Sequence, residues 1–243
     1  DSHIGFGDND ILLHRALKKI KDEYQVDAII GTGDFTQDGK EEQVQQFKTI
    51  YKKYFSLDTT PLVMCYGNHD TYWTNSMSRS EFYDALGREV FLGDEEDEAT
   101  ARLGNRHRII NGYHFLCVEM SSYAVGGNVL NDTTRNWLVS NLDAITSENP
   151  NQYVFVLSHS PAKNTVLGSR DSDDSGNWGS SQMLRDIYSN YPQIISLSGH
   201  THYINHDDAF ISTEGGFLSV GVPSLSDFEY NDKVVDEIVK KEE

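Results

Sequence analysis

The chain has 243 residues, 24% of them charged, and a formal net charge of −18. That length is enough for one large domain with a substantial core. The acidic balance counts against a broad nucleic-acid or anionic-membrane footprint. It leaves a small phosphate substrate open, because bound cations can invert a local field.

No apolar run approaches membrane-spanning length. Cys65 and Cys117 each sit inside an apolar run and read as buried free thiols rather than a disulfide. The opening Asp1-Ser2-His3-Ile4-Gly5 lacks the apolar strand that precedes each later motif. A strand is therefore expected upstream of Asp1, and any targeting segment upstream of that. Residues 10–24 are predicted as an amphipathic helix with an Ile11, Leu12, Ala16, Ile20 and Tyr24 stripe, capped by Asp8, Asn9 or Asp10. Val26 to Ile30 reads as a short buried strand ended by Gly31-Thr32-Gly33-Asp34. A second helix spans 41–55, with Val44, Phe47, Tyr51 and Tyr54 or Phe55 on its apolar face. Pro61 introduces the strand Leu62 to Tyr66, ended by Gly67-Asn68-His69-Asp70. This β-α-β-α-β opening favours parallel strands with crossover helices.

A short helix is predicted over 79–87, then a solvated acidic loop from Gly93 to Glu98. Arg108 to Ile110 and Tyr113 to Glu119 flank Asn111-Gly112, a strong hairpin signal. Asn131, Asp132 or Thr133 caps a helix running to about Ser147. Tyr153 to Leu157 is another buried strand, followed by Ser158-His159-Ser160-Pro161. Residues 162–178 form a long polar loop, of a length that usually carries function or disorder. A helix over 180–190 and a strand over 193–198 lead into Gly199-His200-Thr201-His202. Strand-like runs follow at 209–212 and 216–221, and Asp232 to Glu243 is a charged amphipathic helix. With no internal repeat and no splitting linker, residues 1–243 are expected to form a single domain.

One grammar recurs: Asp, Asn or His just after a strand. It places Asp1 and His3, Asp34, Asn68 and His69, His159, and His200 and His202, so five of nine histidines fall there. If strand ends gather on one edge of a sheet, these groups converge. Imidazole nitrogen and carboxylate oxygen suit first-row transition metals, and a carboxylate can bridge two ions. Two ions roughly 3.5–4 Å apart clamp the attacking and leaving oxygens of an in-line phosphoryl displacement.

In order, the blocks Asp1-Ser2-His3, Gly33-Asp34, Gly67-Asn68-His69-Asp70, His159 and Gly199-His200-Thr201-His202 resemble those of the calcineurin-like metallophosphoesterase superfamily. The resemblance implies an α/β fold, a four-layer α/β/β/α sandwich of two mixed β-sheets flanked by helices. It implies that Asp1, His3 and His202 hold one ion, that Asn68, His159 and His200 hold a second, and that Asp34 bridges them. The cofactors so implied are two transition-metal ions, with Mn, Fe and Zn all admitted by N/O ligands. A hydroxide bridging the ions would attack phosphorus in line. His69 would face the phosphate and protonate the leaving oxygen or stabilise developing charge, and Asp70 would orient His69.

The stretch Gly33-Asp34-Phe35-Thr36-Gln37-Asp38-Gly39 lacks the Arg typical of Ser/Thr protein phosphatases and the Tyr ligand of purple acid phosphatases. It is similar to the Gly-Asp-x-Thr-x-Asp-Gly form of bacterial cyclic-nucleotide and glycerophosphodiester phosphodiesterases. The expected function is metal-dependent hydrolysis of a small phosphate ester, diesters favoured over monoesters, with substrate choice set by loops 72–78, 121–130 and 162–178. The alternatives are a non-catalytic scaffold on the same fold or a DNA nuclease. Outside the constellation, His14 reads as surface, His107 and His114 as sheet-face residues, and His206 as lying outside the site. Tyr72 and Trp73 either wall the pocket or pack, and Trp178 is undecided between the same roles.

Overall fold

The computed structural model describes residues 1–91, 98–123, 128–173, 179–202 and 210–226. Gly93 to Asp97 of the acidic loop, Trp178, His206 and the 232–243 helix lie outside these residues. In chain order the elements are α1 (Asn9–Glu23), β1 (Ile29–Gly31), α2 (Glu41–Tyr54), β2 (Leu62–Met64), α3 (Asn68–Thr71), α4 (Arg79–Leu86), α5 (Arg88–Phe91) and α6 (Glu98–Arg102). There follow β3 (Arg106–Ile110), β4 (Tyr113–Val118), α7 (Asp132–Glu148), β5 (Val154–Ser158), α8 (Gln182–Tyr188), β6 (Ile194–Ser198), β7 (Ile211–Ser212) and β8 (Leu218–Gly221).

The strands form two sheets. β1 and β2 pair in parallel, and a six-stranded mixed sheet runs β3-β4-β5-β6-β8-β7. Within the larger sheet β4, β5, β6 and β8 are mutually parallel, and β3 and β7 close its two edges antiparallel. Alternation along the strands explains the layering, because successive side chains point to opposite faces. Val63 and Cys65 meet Phe115, Cys117 and Leu157 between the sheets. Leu62 and Met64 turn the other way, onto Leu13 and Leu17 of α1 and Val44, Phe47 and Tyr51 of α2. Leu116, Val118, Val154, Val156 and Ile194 likewise face Leu138 and Leu142 of α7 and Leu184 and Tyr188 of α8. The result is the expected four-layer α/β/β/α sandwich. Both cysteines are free and buried in its central layer.

Several local expectations shift. The apolar face of α1 is Leu13 and Leu17 with Ile20, not the Ile11 to Tyr24 stripe: Ile11 is 46% exposed and Leu17 4%. The helix is turned so that Asn9 donates to the His3 carbonyl at 3.2 Å and to Ser226 Oγ at 3.0 Å. β1 begins at Ile29 rather than Val26, and Ile30 is 37% exposed, so this strand is not wholly buried. β3 starts two residues early because Arg106 and His107 pair with Cys117 and Leu116, and polar letters masked a strand. Glu98 opens α6 rather than ending a loop. α8 starts at Gln182 because Ser181, in extended backbone, caps it by accepting from Leu184 N at 3.3 Å. The Asn111-Gly112 turn forms as expected, with φ of 52° and 81°.

Parallel pairing has the consequence that matters most. The C-terminal ends of β1 and β2 share one edge, as do those of β4, β5, β6 and β8.

Candidate metal centre

Asp34 follows β1, Asn68 and His69 open α3 just after β2, His159 follows β5, and His200 and His202 follow β6. Asp1 and His3 reach the same place because Ser2 N and His3 N both donate to the Asp34 carbonyl at 2.9 Å. A parallel bridge between Ile4 and Thr36 continues this attachment. The turns are tight. Among the described residues seven non-glycines have left-handed φ; three are asparagines, and the other four are His3, Asp34, His200 and His202. Such backbone costs roughly 1–2 kcal/mol per residue and persists where packing enforces it, often at functional sites. Close approach adds a demand of its own. A Cβ on Gly67 would strike the Asp34 carboxylate, and one on Gly179 the His200 imidazole.

The side chains converge in two groups that share Asp34. Ligand-type atoms of Asp1, His3, Asp34 and His202 lie within 4.8 Å of one another, as do those of Asp34, His159 and His200. Asp34 Oδ2 sits 3.2 Å from His159 Nε2 and 3.5 Å from His3 Nε2, while its Oδ1 accepts the His69 backbone N–H at 2.8 Å. His3 Nε2 is 3.1 Å from His202 Nε2, and His159 Nε2 is 3.0 Å from His200 Nδ1. Asn68 Oδ1 joins the second group, 3.1 Å from His159 Nε2. Asp1 accepts the His200 backbone N–H on its carboxylate at 3.2 Å.

This donor set fits cations. His159 Nδ1 donates to the Thr32 carbonyl at 2.7 Å, and His3 Nδ1 to Gln37 Oε1 at 3.0 Å. In the neutral tautomer that these Nδ1 bonds select, each imidazole would turn an Nε2 lone pair toward the Asp34 carboxylate, so that lone pairs face lone pairs. A positive ion between them resolves the conflict. Burial pushes the His3 pKa down from 6.5 to about 3 and that of His202 to about 4, despite the nearby Asp34 carboxylate. Burial and the neighbouring His159 lower His200 too. Burial opposes ionisation of Asp34, yet His159 and His3 outweigh it and hold the carboxyl below its usual range. His3, His200 and His202, kept neutral by burial beside the ionised Asp34, are in ligand form at neutral pH.

One expected role changes. Asp70 does not orient His69. Its Oδ1 accepts from Thr36 N at 3.0 Å and Thr36 Oγ1 at 2.8 Å, and its Oδ2 accepts from Gly67 N at 2.9 Å. This buried carboxylate ties the loop after β1 to the loop after β2. The His69 imidazole instead donates from Nδ1 to the Gln37 carbonyl at 2.8 Å. Gln37 thus supports His3 with its side chain and His69 with its main chain, which no motif signals. Asp38 is likewise engaged within its own segment, accepting from Gln43 Nε2 at 3.0 Å.

Tyr123 is a second residue the sequence did not mark. Its ring lies 5.9 Å from His159 and 6.0 Å from His200, centroid to centroid. Tyr72 and Trp73 stand at the surface of the site rather than in the core, 48% and 52% exposed. His14 is half-buried and bonds Tyr54 Oη at 3.1 Å, joining α1 to α2. His107 and His114 pair across the hairpin at 2.7 Å, as sheet-face residues.

A family model described as calcineurin-like phosphoesterase matches residues 1–203. Among solved structures, the purple acid phosphatase PPD1 from yellow lupin (Lupinus luteus) seeds is similar, with a TM-score of 0.53 and 16% identity over 92% of this chain. The chain covers only 42% of that protein's length. GAP50, the anchor in the inner membrane complex of Plasmodium, is similar with a TM-score of 0.54 and 14% identity, over 96% of this chain and 74% of that one. At such identities the likeness is one of fold. No curated protein sequence matches this one.

Proposed function

The chain belongs to the calcineurin-like phosphoesterase family, and from that premise we propose that it hydrolyses small phosphate esters at a centre of two transition-metal ions, diesters in preference to monoesters. In this reading Asp1, His3 and His202 would hold one ion and Asn68, His159 and His200 the other, with Asp34 available to both groups. The observation that carries it is the single Asp34 carboxylate facing two imidazole Nε2 atoms, on His159 at 3.2 Å and on His3 at 3.5 Å. Mn, Fe and Zn all suit the N/O donors. When bound, such ions supply Lewis-acid polarisation of the phosphoryl oxygens and acidify coordinated water.

The remaining work belongs to the chain. The His69 Nδ1 proton is committed to the Gln37 carbonyl, so Nε2 is the atom that meets the ester. As an imidazolium, His69 would give the Nε2 proton to the leaving oxygen or stabilise the charge developing there. Asp70 and Thr36 hold its loop in place. Diester preference rests on the resemblance of the block at 33–39 to phosphodiesterase forms. A scaffold role, of the kind the name of the Plasmodium anchor describes for that protein, is the second reading; the intact donor set favours catalysis. A DNA nuclease fits poorly with a net charge of −18.

The test compares hydrolysis of bis(4-nitrophenyl) phosphate and 4-nitrophenyl phosphate with added Mn²⁺, before and after chelation. Chelator-sensitive turnover, faster on the diester, is expected; none on either substrate overturns the hydrolase reading. His69→Ala is expected to keep bound metal while losing about a hundredfold or more in turnover. The backbone N–H that Asp34 accepts survives that substitution. Loss of metal in the variant contradicts the role given to His69.

A further inference from the structure

Two large aromatic side chains, Tyr72 and Trp73, sit half in solvent at the rim of the centre, directly after α3. Tyr72 is the C-cap of α3 and Trp73 follows it, so both lie at the end of the short helix that Asn68 and His69 open. Trp73 stands beside His69, ring centroids 5.1 Å apart at 63°. Tyr72 meets Tyr123 at 5.5 Å, and Tyr123 in turn lies against His159 and His200. The rings run as a strip from the His69 side of the site to the His159 side. Trp73 is 52% exposed and Tyr72 48%. Neither ring contributes to the buried clusters that hold the layers together.

We propose that Trp73 and Tyr72 form a stacking subsite for a planar aromatic group carried by the phosphate ester, a nucleobase or a simple aryl ring. The inference rests on the phosphoesterase reading and narrows its substrate class. An exposed indole and phenol offer π-faces on which any flat ring stacks, whatever its edge pattern. The acidic chain disfavours a long polyanion but not one ring with one phosphate. Placement beside His69 sets the ring next to the group that meets the ester oxygen.

The test is equilibrium binding to the Mn²⁺-loaded protein, without turnover, of adenosine monophosphate, phenyl phosphate, glycerol phosphate and inorganic phosphate. The two aromatic phosphates are expected to bind about tenfold tighter than glycerol phosphate. Trp73→Ala is expected to erase most of that advantage and Trp73→Phe to restore it. Tyr153→Ala, at a 58% exposed tyrosine beside the opposite end of β5, is expected to keep it. A preference for the adenosine ester assigns the ring to a nucleobase, and one for the phenyl ester to an aryl group. Equal affinity for aromatic and glycerol phosphates overturns the proposal, as does an advantage that survives Trp73→Ala. Because the readout is binding, an aromatic preference without hydrolysis would sink the enzymatic reading and leave the subsite standing. Hydrolysis without the preference would do the reverse.

Discussion

Gln37 serves two imidazoles with two different oxygens. Its side-chain Oε1 accepts from His3 Nδ1 and its backbone carbonyl from His69 Nδ1. The first bond fixes the tautomer of a proposed ligand, the second that of the proposed acid. Substitution separates them. Gln37→Met removes only the side-chain acceptor, so metal affinity is expected to fall about 10–100-fold, the usual effect of losing an outer partner of a ligating imidazole. Gln37→Glu keeps an acceptor there and is expected to recover most of the loss. Competition with a colorimetric chelator reads both, and unchanged affinity in Gln37→Met would show that His3 does not depend on this bond. The case also shows what single residues reveal in a sequence. Asp34, Asn68, His159, His200 and His202 were legible because each follows a strand end and has a side chain suited to metals. Gln37 was not, since half of its contribution is a main-chain carbonyl that any residue possesses. Asp70 stood out by its neighbour His69, yet its carboxylate is taken by Thr36 and Gly67.

At the level of elements, strands were easier to read than helix faces. The alternation in Leu62-Val63-Met64-Cys65 and in Phe115-Leu116-Cys117-Val118 sends each residue to a definite layer, and short apolar runs bounded by glycine marked where to look. In α1 the letters pointed to the Ile11 to Tyr24 stripe, and tertiary contacts select a different face, Leu13 and Leu17 with Ile20. Asn9 docks on the His3 carbonyl and Ser226, which rotates Leu13 and Leu17 inward and leaves Ile11 outside. Leu17→Ala is therefore expected to cost about 2–4 kcal/mol in urea unfolding, and Ile11→Ala less than about 0.5 kcal/mol. Similar losses at both positions would mean that α1 is seated differently. Orientation here bears on the site, because α1 is tied through Asn9 to the segment that carries His3.

For the whole molecule, parallel strands gather groups that burial then keeps from charging, and the metal-free chain should register this in its response to acid. The unfolded imidazoles titrate near 6.5, whereas folded His3 and His202 resist protonation down to about 3 and about 4, and His200 is lowered too. Above pH 6.5 both states are neutral at these groups. Below it the unfolded chain binds protons that the folded chain refuses, so each imidazole destabilises the fold as pH falls, by up to about 1.4 kcal/mol per pH unit. Two carboxyls act in the opposite sense. Burial raises Asp70 from 3.8 to about 6 and Glu119 from 4.5 to about 7, the latter against the pull of Arg79, so the folded state holds their protons where the unfolded state has lost them. Between pH 6 and 4.5 three imidazoles oppose two carboxyls, and the melting temperature measured in chelator is expected to fall modestly with acid. His202→Asn leaves two against two and should flatten that slope. Glu119→Gln leaves three against one and should steepen it. A melting temperature that rises from pH 6 to 4.5, or slopes that do not diverge between the two variants, would mean that these imidazoles are not held neutral by burial.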